Sequence, residues 1–190
     1  MKKMQRILTL LLCVLLLAAL PLEVSASEVP YQTYTYDKWN NATPAPNGYL
    51  PTRSIGGAQL GCGDFSGAMD LYYSQSQGLV YVADTNNSRM VLLDENMNYV
   101  SQLSELEGED GTAYTLNKPQ GVFAMDDGTV YICDTGNQRI LLATSRGRVL
   151  SVLPQPESSL LPDNFNYEPT KIVVDEAGRM YIISKGTYQG

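Results

Sequence analysis

One segment of this chain recurs every 50 residues, and a period of that length restricts the fold to an array of stacked units. Gly78-Leu79-Val80-Tyr81-Val82-Ala83-Asp84-Thr85 is followed by Asn86-Asn87-Ser88-Arg89. Gly128 to Arg139 repeats the pattern as Gly-Thr-Val-Tyr-Ile-Cys-Asp-Thr-Gly-Asn-Gln-Arg. A third copy opens at Gly178 and runs through Tyr181 to Ser184, keeping the spacing and losing the Asp.

Each copy reads as an antiparallel meander. Pro119 to Met125 is a short apolar run closed by the turn Asp126-Asp127-Gly128. Val130-Tyr131-Ile132-Cys133 is β-branched and aromatic, as strands prefer. Thr135 to Gln138 is a second turn, Ile140 to Ala143 a third strand, and Val149 to Leu153 a fourth after Ser145-Arg146-Gly147. The first copy carries one extra residue in its turn, Ser74 to Gly78, where surface turns accept insertions. A lone meander has two bare faces and open edges, and radial stacking as propeller blades covers the faces. The predicted fold is therefore all-β: a β-propeller of four-stranded antiparallel blades over residues 65–190, with two complete repeats and a truncated third.

These residues resemble the NHL repeat, whose pattern runs Pro-x-Gly-Val, then Asp-x-Gly-x-Val-Tyr-Val-Ala-Asp-Thr, then Asn-x-Arg-Ile. Pro119 to Ile140 follows it almost throughout. The first copy has Ala68-Met69-Asp70-Leu71 in place of the early proline, and the third has Ser184 where the others have Asp84 and Asp134. The resemblance implies an NHL-type propeller of which about half a ring is present, since rings close with about 4–8 blades. The sequence is accordingly expected to be part of a longer protein, although a half-propeller that dimerises would also close a ring. Asp84 and Arg89, and likewise Asp134 and Arg139, have four residues between them across a turn. A hairpin would set each pair side by side, where a charge-assisted hydrogen bond pins the register. If exposed, such a pair contributes only about 0.2–1 kcal/mol. These four residues are read as structural, with Asn87 and Asn137 as candidate ligand-facing positions.

The N-terminus carries a second signal. Lys2, Lys3 and Arg6 precede an uncharged apolar stretch from Ile7 to Leu20, and Val24-Ser25-Ala26 is a small-residue cleavage site. Residues 1–26 are expected to be a secretory signal peptide, whose apolar stretch from Ile7 to Leu20 is short for a membrane span of about 20 residues. The expected location is exported, secreted or at the cell surface, and bacterial; a membrane link would come only through an uncleaved leader or a further C-terminal part. Without residues 1–26 the chain has 164 residues, ten Lys/Arg and nineteen Asp/Glu, hence a net charge of −9. That balance argues against nucleic acid and anionic membrane surfaces as partners.

Residues 27–64 are expected to form an N-terminal extended or loop segment. Tyr31, Tyr34, Tyr36 and Trp39 alternate with polar residues, which suits an edge strand or an aromatic ligand-binding arm. Gly61-Cys62-Gly63 lacks the remainder of a phosphate-binding fingerprint. Cys62 and Cys133 could pair in an exported protein, but Cys133 replaces Ala83 and Ile183 of the other copies and so reads as a small buried strand residue.

The chain contains no histidine, which removes histidine-bound zinc and Ser–His–Asp or Cys–His catalysis from this segment. Its aspartates cluster at turns, where they bond local backbone, and they leave calcium as the one cofactor worth naming. Asn41-Ala42-Thr43 and Asn86-Asn87-Ser88 fit the glycosylation triplet. The expected function is a non-enzymatic binding or scaffold module for a protein, peptide or glycan. The alternative is part of a lactonase-like calcium-dependent hydrolase or a lyase whose catalytic residues lie in other blades.

Overall fold

The computed structural model describes residues 33–45, 53–162 and 165–185. The signal peptide, Tyr31, and Pro46 to Pro51 of the N-terminal segment lie outside these residues. No described helix is long and apolar enough to cross a membrane. The chain divides into two compact units, residues 1–54 and 55–190.

The first unit contains a hairpin of β1 (Thr33–Tyr36) and β2 (Ala42–Ala45). Asp37 closes its turn by accepting from the amides of Trp39 and Asn41, both at 2.9 Å. These bonds, that from Asn41 foremost, hold its carboxyl below the usual range. Tyr34, Tyr36 and Trp39 are all exposed.

The second unit is nearly all β. After the single-turn α1 (Gly57–Leu60) come β3 (Ala68–Ser74), β4 (Leu79–Asp84), β5 (Arg89–Asp94) and β6 (Tyr99–Leu103), hydrogen-bonded in chain order as one sheet. A hairpin of β7 (Glu105–Glu107) and β8 (Ala113–Thr115) follows. The second sheet repeats the first as β9 (Gly121–Ala124), β10 (Val130–Asp134), β11 (Arg139–Ala143) and β12 (Val149–Leu153). β13 (Glu168–Val174) and β14 (Met180–Lys185) form the described part of a third. These are propeller blades, as the repeat predicts.

Alternation along each strand decides what faces what. Tyr81, Ala83, Met90 and Leu92 of blade one pack against Val122, Ala124, Val130 and Ile132 of blade two. Tyr131, Cys133 and Ile140 of blade two pack against Tyr167, Ile172 and Val174 of blade three. Each fully buried Leu, Ile or Val stabilises by about 1.5–3 kcal/mol. The other face of blade one, Val80, Val82, Val91 and Leu93, is covered by Leu60, Cys62 and Phe65. Segment 57–65, whose residues 57–64 were expected to be extended or loop, is thus a lid on that sheet.

Tyr81, Tyr131 and Tyr181 occupy one repeat position, yet they are 1%, 9% and 57% exposed. The first two have a following blade against them, and the third has none among the described residues. The β7–β8 hairpin was not visible in the sequence. Leu106, Tyr114 and Leu116 wedge it into the core between blades one and two.

The turns between second and third strands, Thr85 to Ser88 and Thr135 to Gln138, are 3-10 turns ending in left-handed Ser88 (φ 50°) and Gln138 (φ 55°). The antiparallel order puts them at the same end of the blades as the long connections 104–120 and 154–167. At the opposite end short turns close on their own aspartates. Asp94, Asp127 and Asp175 each accept from the amide two residues on, at 2.8–3.0 Å.

Candidate functional site

The Asp–Arg turns are built as the hairpin predicts, and more deeply. Asp84 stands opposite Arg89 in the ladder, and Asp134 opposite Arg139. The Arg Nε donates to the Asp Oδ2 at 2.7 Å and 2.8 Å, and both carboxylates are fully buried. The weak exposed case considered from sequence therefore does not apply. Asp84 also accepts from the Ser66 amide at 2.7 Å and from Asn87 Nδ2 at 2.8 Å. Asp134 does the same with Asn117 and Asn137 at the same distances.

Asn87 and Asn137 each spend a second amide hydrogen on a backbone carbonyl, of Asp64 and Thr115, both at 2.9 Å. Their amide nitrogens are committed to the framework of the turn. The guanidinium groups differ. Arg89 also donates to Gln102 and to the carbonyls of Cys62, Gly63 and Asp64. Arg139 has one further acceptor, the Thr115 carbonyl at 3.2 Å, and stacks 5.3 Å from the centre of the Tyr114 ring.

Each turn also hands a bond to the next blade. Thr85 Oγ1 donates to the Pro119 carbonyl at 2.7 Å, and Thr135 Oγ1 to the Pro169 carbonyl at 2.6 Å. A donor in one blade thereby fixes the start of the following inner strand.

The inner strands β3, β9 and β13 lie side by side. Asp70, Gly121 and Lys171 occupy one repeat position, since they stand opposite Ala83, Cys133 and Ile183 in the ladders. Lys171 Nζ reaches both Asp70 oxygens, at 2.7 and 2.6 Å, and Asp70 Oδ2 accepts the Val122 amide at 2.9 Å. Gly121 permits the approach: a Cβ there would lie 2.6 Å from the Thr170 carbonyl oxygen.

A cleft of about 380 Å³ opens at the Asp–Arg end between blades two and three. Its lining includes Lys118, Gln120, Gln138 and Glu168, with Asn117 and Thr135 on the same walls. Sequence reasoning did not single out these residues. A signal was available: Lys118 and Glu168 stand directly before Pro119 and Pro169, the same place in two copies. Gly67 holds that place in blade one with φ 58°, and Lys118 adopts φ 47°. A non-glycine residue in this left-handed region costs about 1–2 kcal/mol, so Lys118 is held in strain by its surroundings.

Cys62 and Cys133 are both free thiols. Burial pushes the Cys133 thiol up to about 12, as suits an inert core residue. No group of three or more potential metal ligands comes together among the described residues.

The fold and its turns define a class before any relative is considered: four-stranded blades, each locked by a buried Asp–Arg pair and handed on by a threonine. Residues 116–141 match the NHL repeat family. The second blade thus carries an NHL repeat, and the sheets on either side of it are consistent with an NHL-type β-propeller. Among solved structures it is similar to hydrazine synthase from Kuenenia stuttgartiensis, with 11% identity and a TM-score of 0.47 over 72% of this chain and 33% of that one. It is similar to virginiamycin B lyase from Staphylococcus aureus, with 13% identity and a TM-score of 0.44 over 80% and 42%. It is also similar to an auxiliary nutrient binding protein from Bacteroides thetaiotaomicron, with 17% identity and a TM-score of 0.43 over 82% and 40%. The chain spans between a third and about two fifths of these three structures. No curated protein matches it in sequence.

Proposed function

We propose that this protein is an exported, non-enzymatic binding module that takes a protein, peptide or glycan at the Asp–Arg end of its blades. The carrying observation is the cleft between blades two and three, lined by Asn117, Gln120 and Gln138 amides on turns locked from behind by buried ion pairs. Hydrogen-bonding groups held by a rigid scaffold suit selection of a polar ligand. The Asp and Arg of each repeat are spent on the framework, which leaves recognition to the variable residues around them. Export is supported by the leader-like residues 1–26. The acidic balance supports partners other than nucleic acid.

The test is to screen the full chain on peptide and glycan arrays, then repeat each hit with Gln120→Ala and Gln138→Ala. The expected result is binding weakened at least about tenfold by either change, with the ligand recovered intact by mass spectrometry. Binding untouched by both variants, or a ligand recovered chemically altered, overturns the reading.

A further inference from the structure

Resting on that reading, we infer that the cleft selects a ligand bearing a carboxylate, and that Lys118 is its anchor.

The uncommitted groups point this way. Lys118 is an exposed residue of the cleft lining whose side chain makes no hydrogen bond or ion pair among the described residues; only its amide is engaged, with Ser88 Oγ at 3.1 Å. Its neighbours are already occupied in a manner that leaves donors over. Lys185 Nζ donates to Gln120 Oε1 at 3.3 Å, which leaves the Gln120 amide nitrogen to donate. Glu168, the acidic member of the lining, has one oxygen engaged, since Oε1 accepts from Asn166 Nδ2 at 2.6 Å, and keeps its charge. Asn166 Oδ1 in turn accepts from Gln138 Nε2. An ammonium and an amide donor without internal acceptors in one lining match a ligand carboxylate flanked by further hydrogen-bonding groups and seated away from the charge of Glu168.

Strain is the second line of argument. Blade one fills this position with Gly67, at low cost to the backbone, whereas blade two holds a lysine in the same left-handed conformation. A residue that serves the backbone badly and makes no internal contact with its charge is placed for something outside the chain.

Two ligand sources carry this chemistry, the C-terminus of a peptide and an acidic sugar. The experiment separates them. The full chain is titrated with N-acetylated tripeptides as free acids and as C-terminal amides, and with oligogalacturonate and its methyl ester. The expected result is that the acid of one pair binds at least about tenfold tighter than its neutral form, and that pair names the source. Lys118→Met should erase the preference, and Lys118→Gly should erase it without lowering the melting temperature. Equal binding of acid and neutral forms overturns the carboxylate inference and leaves the cleft as a binding site. No binding of any probe overturns both. A preference that survives Lys118→Met, or a lower melting temperature in Lys118→Gly, removes Lys118 from the anchoring role.

Discussion

Lys171 of the third blade reaches past Gly121 of the second to hold Asp70 of the first, Nζ to Oδ2 at 2.6 Å, across 101 residues of sequence. The same Asp70 oxygen accepts the Val122 amide, which β9 would otherwise leave open on its inner edge. The two partners do not contribute equally. Lys171 is partly exposed, so its share is screened. Removing Asp70 orphans a buried amide, which costs about 1–3 kcal/mol. We predict that Asp70→Ala lowers stability by about 2 kcal/mol and Lys171→Met by less than about 1 kcal/mol. Urea unfolding checks the order; a larger loss for Lys171→Met would show the ion pair, and not the amide, to be the main term.

Gly121 is the pivot of this contact. Its added Cβ would meet the Thr170 carbonyl at 2.6 Å and the Lys171 Cα at 2.9 Å, both backbone atoms with no rotamer to yield. Gly121→Ala should force blades two and three apart and cost about 1–3 kcal/mol. A thermal melt unchanged from the parent would mean that the blades shift freely, against the packing described.

The two Asp–Arg pairs should not weigh the same. Arg89 serves its aspartate, Gln102 and three carbonyls of residues 62–64, whereas Arg139 serves its aspartate and one carbonyl. Breaking a buried pair by removing one partner costs about 3–5 kcal/mol. Arg89→Met is expected in that range, with Arg139→Met clearly below it. Equal losses would show that the lid of residues 57–65 gains nothing from Arg89.

Alkali should unfold the protein through three buried groups. Burial pushes the Tyr81 and Tyr167 phenols up to about 12 from 10.0, and the Cys133 thiol to about 12 from 9.0. A raised acid ionises first in the unfolded chain. The stability it contributes is therefore whole below the unfolded value and lost as pH climbs to the folded one. The melting temperature is predicted to fall between about pH 9 and 12. Iodoacetamide at pH 8 should modify the peptide carrying Cys62, which is partly exposed, and spare that of Cys133 until the chain unfolds. Equal labelling of both in the native state would contradict the packing of Cys133.

Much of this architecture is legible in the sequence. The 50-residue period, the strand runs and the Asp–Arg adjacency are local, and local patterns survive in sequence. The burial of Asp84 and Arg89 was not readable, because their further partners come from 62–66, a stretch with turn residues and no periodicity. The β7–β8 hairpin escaped because its three-residue strands flank Gly108 to Gly111, too short to show alternation. Asp70 and Lys171 lie too far apart for any local signal. Stacking the three copies would have put Asp, Gly and Lys in one column: opposite charges on either side of a residue without a side chain. Lys118 hid for another reason, since nothing in a sequence marks a lysine whose backbone is left-handed.

The threonine that follows each second strand has a consequence for how the protein is made. In both complete blades it bonds the carbonyl of a proline 34 residues ahead, at the entry to the next inner strand. The receptor for each arriving blade is therefore finished before that blade has left the ribosome. Construction can run in one direction, with every blade setting the starting position of its successor.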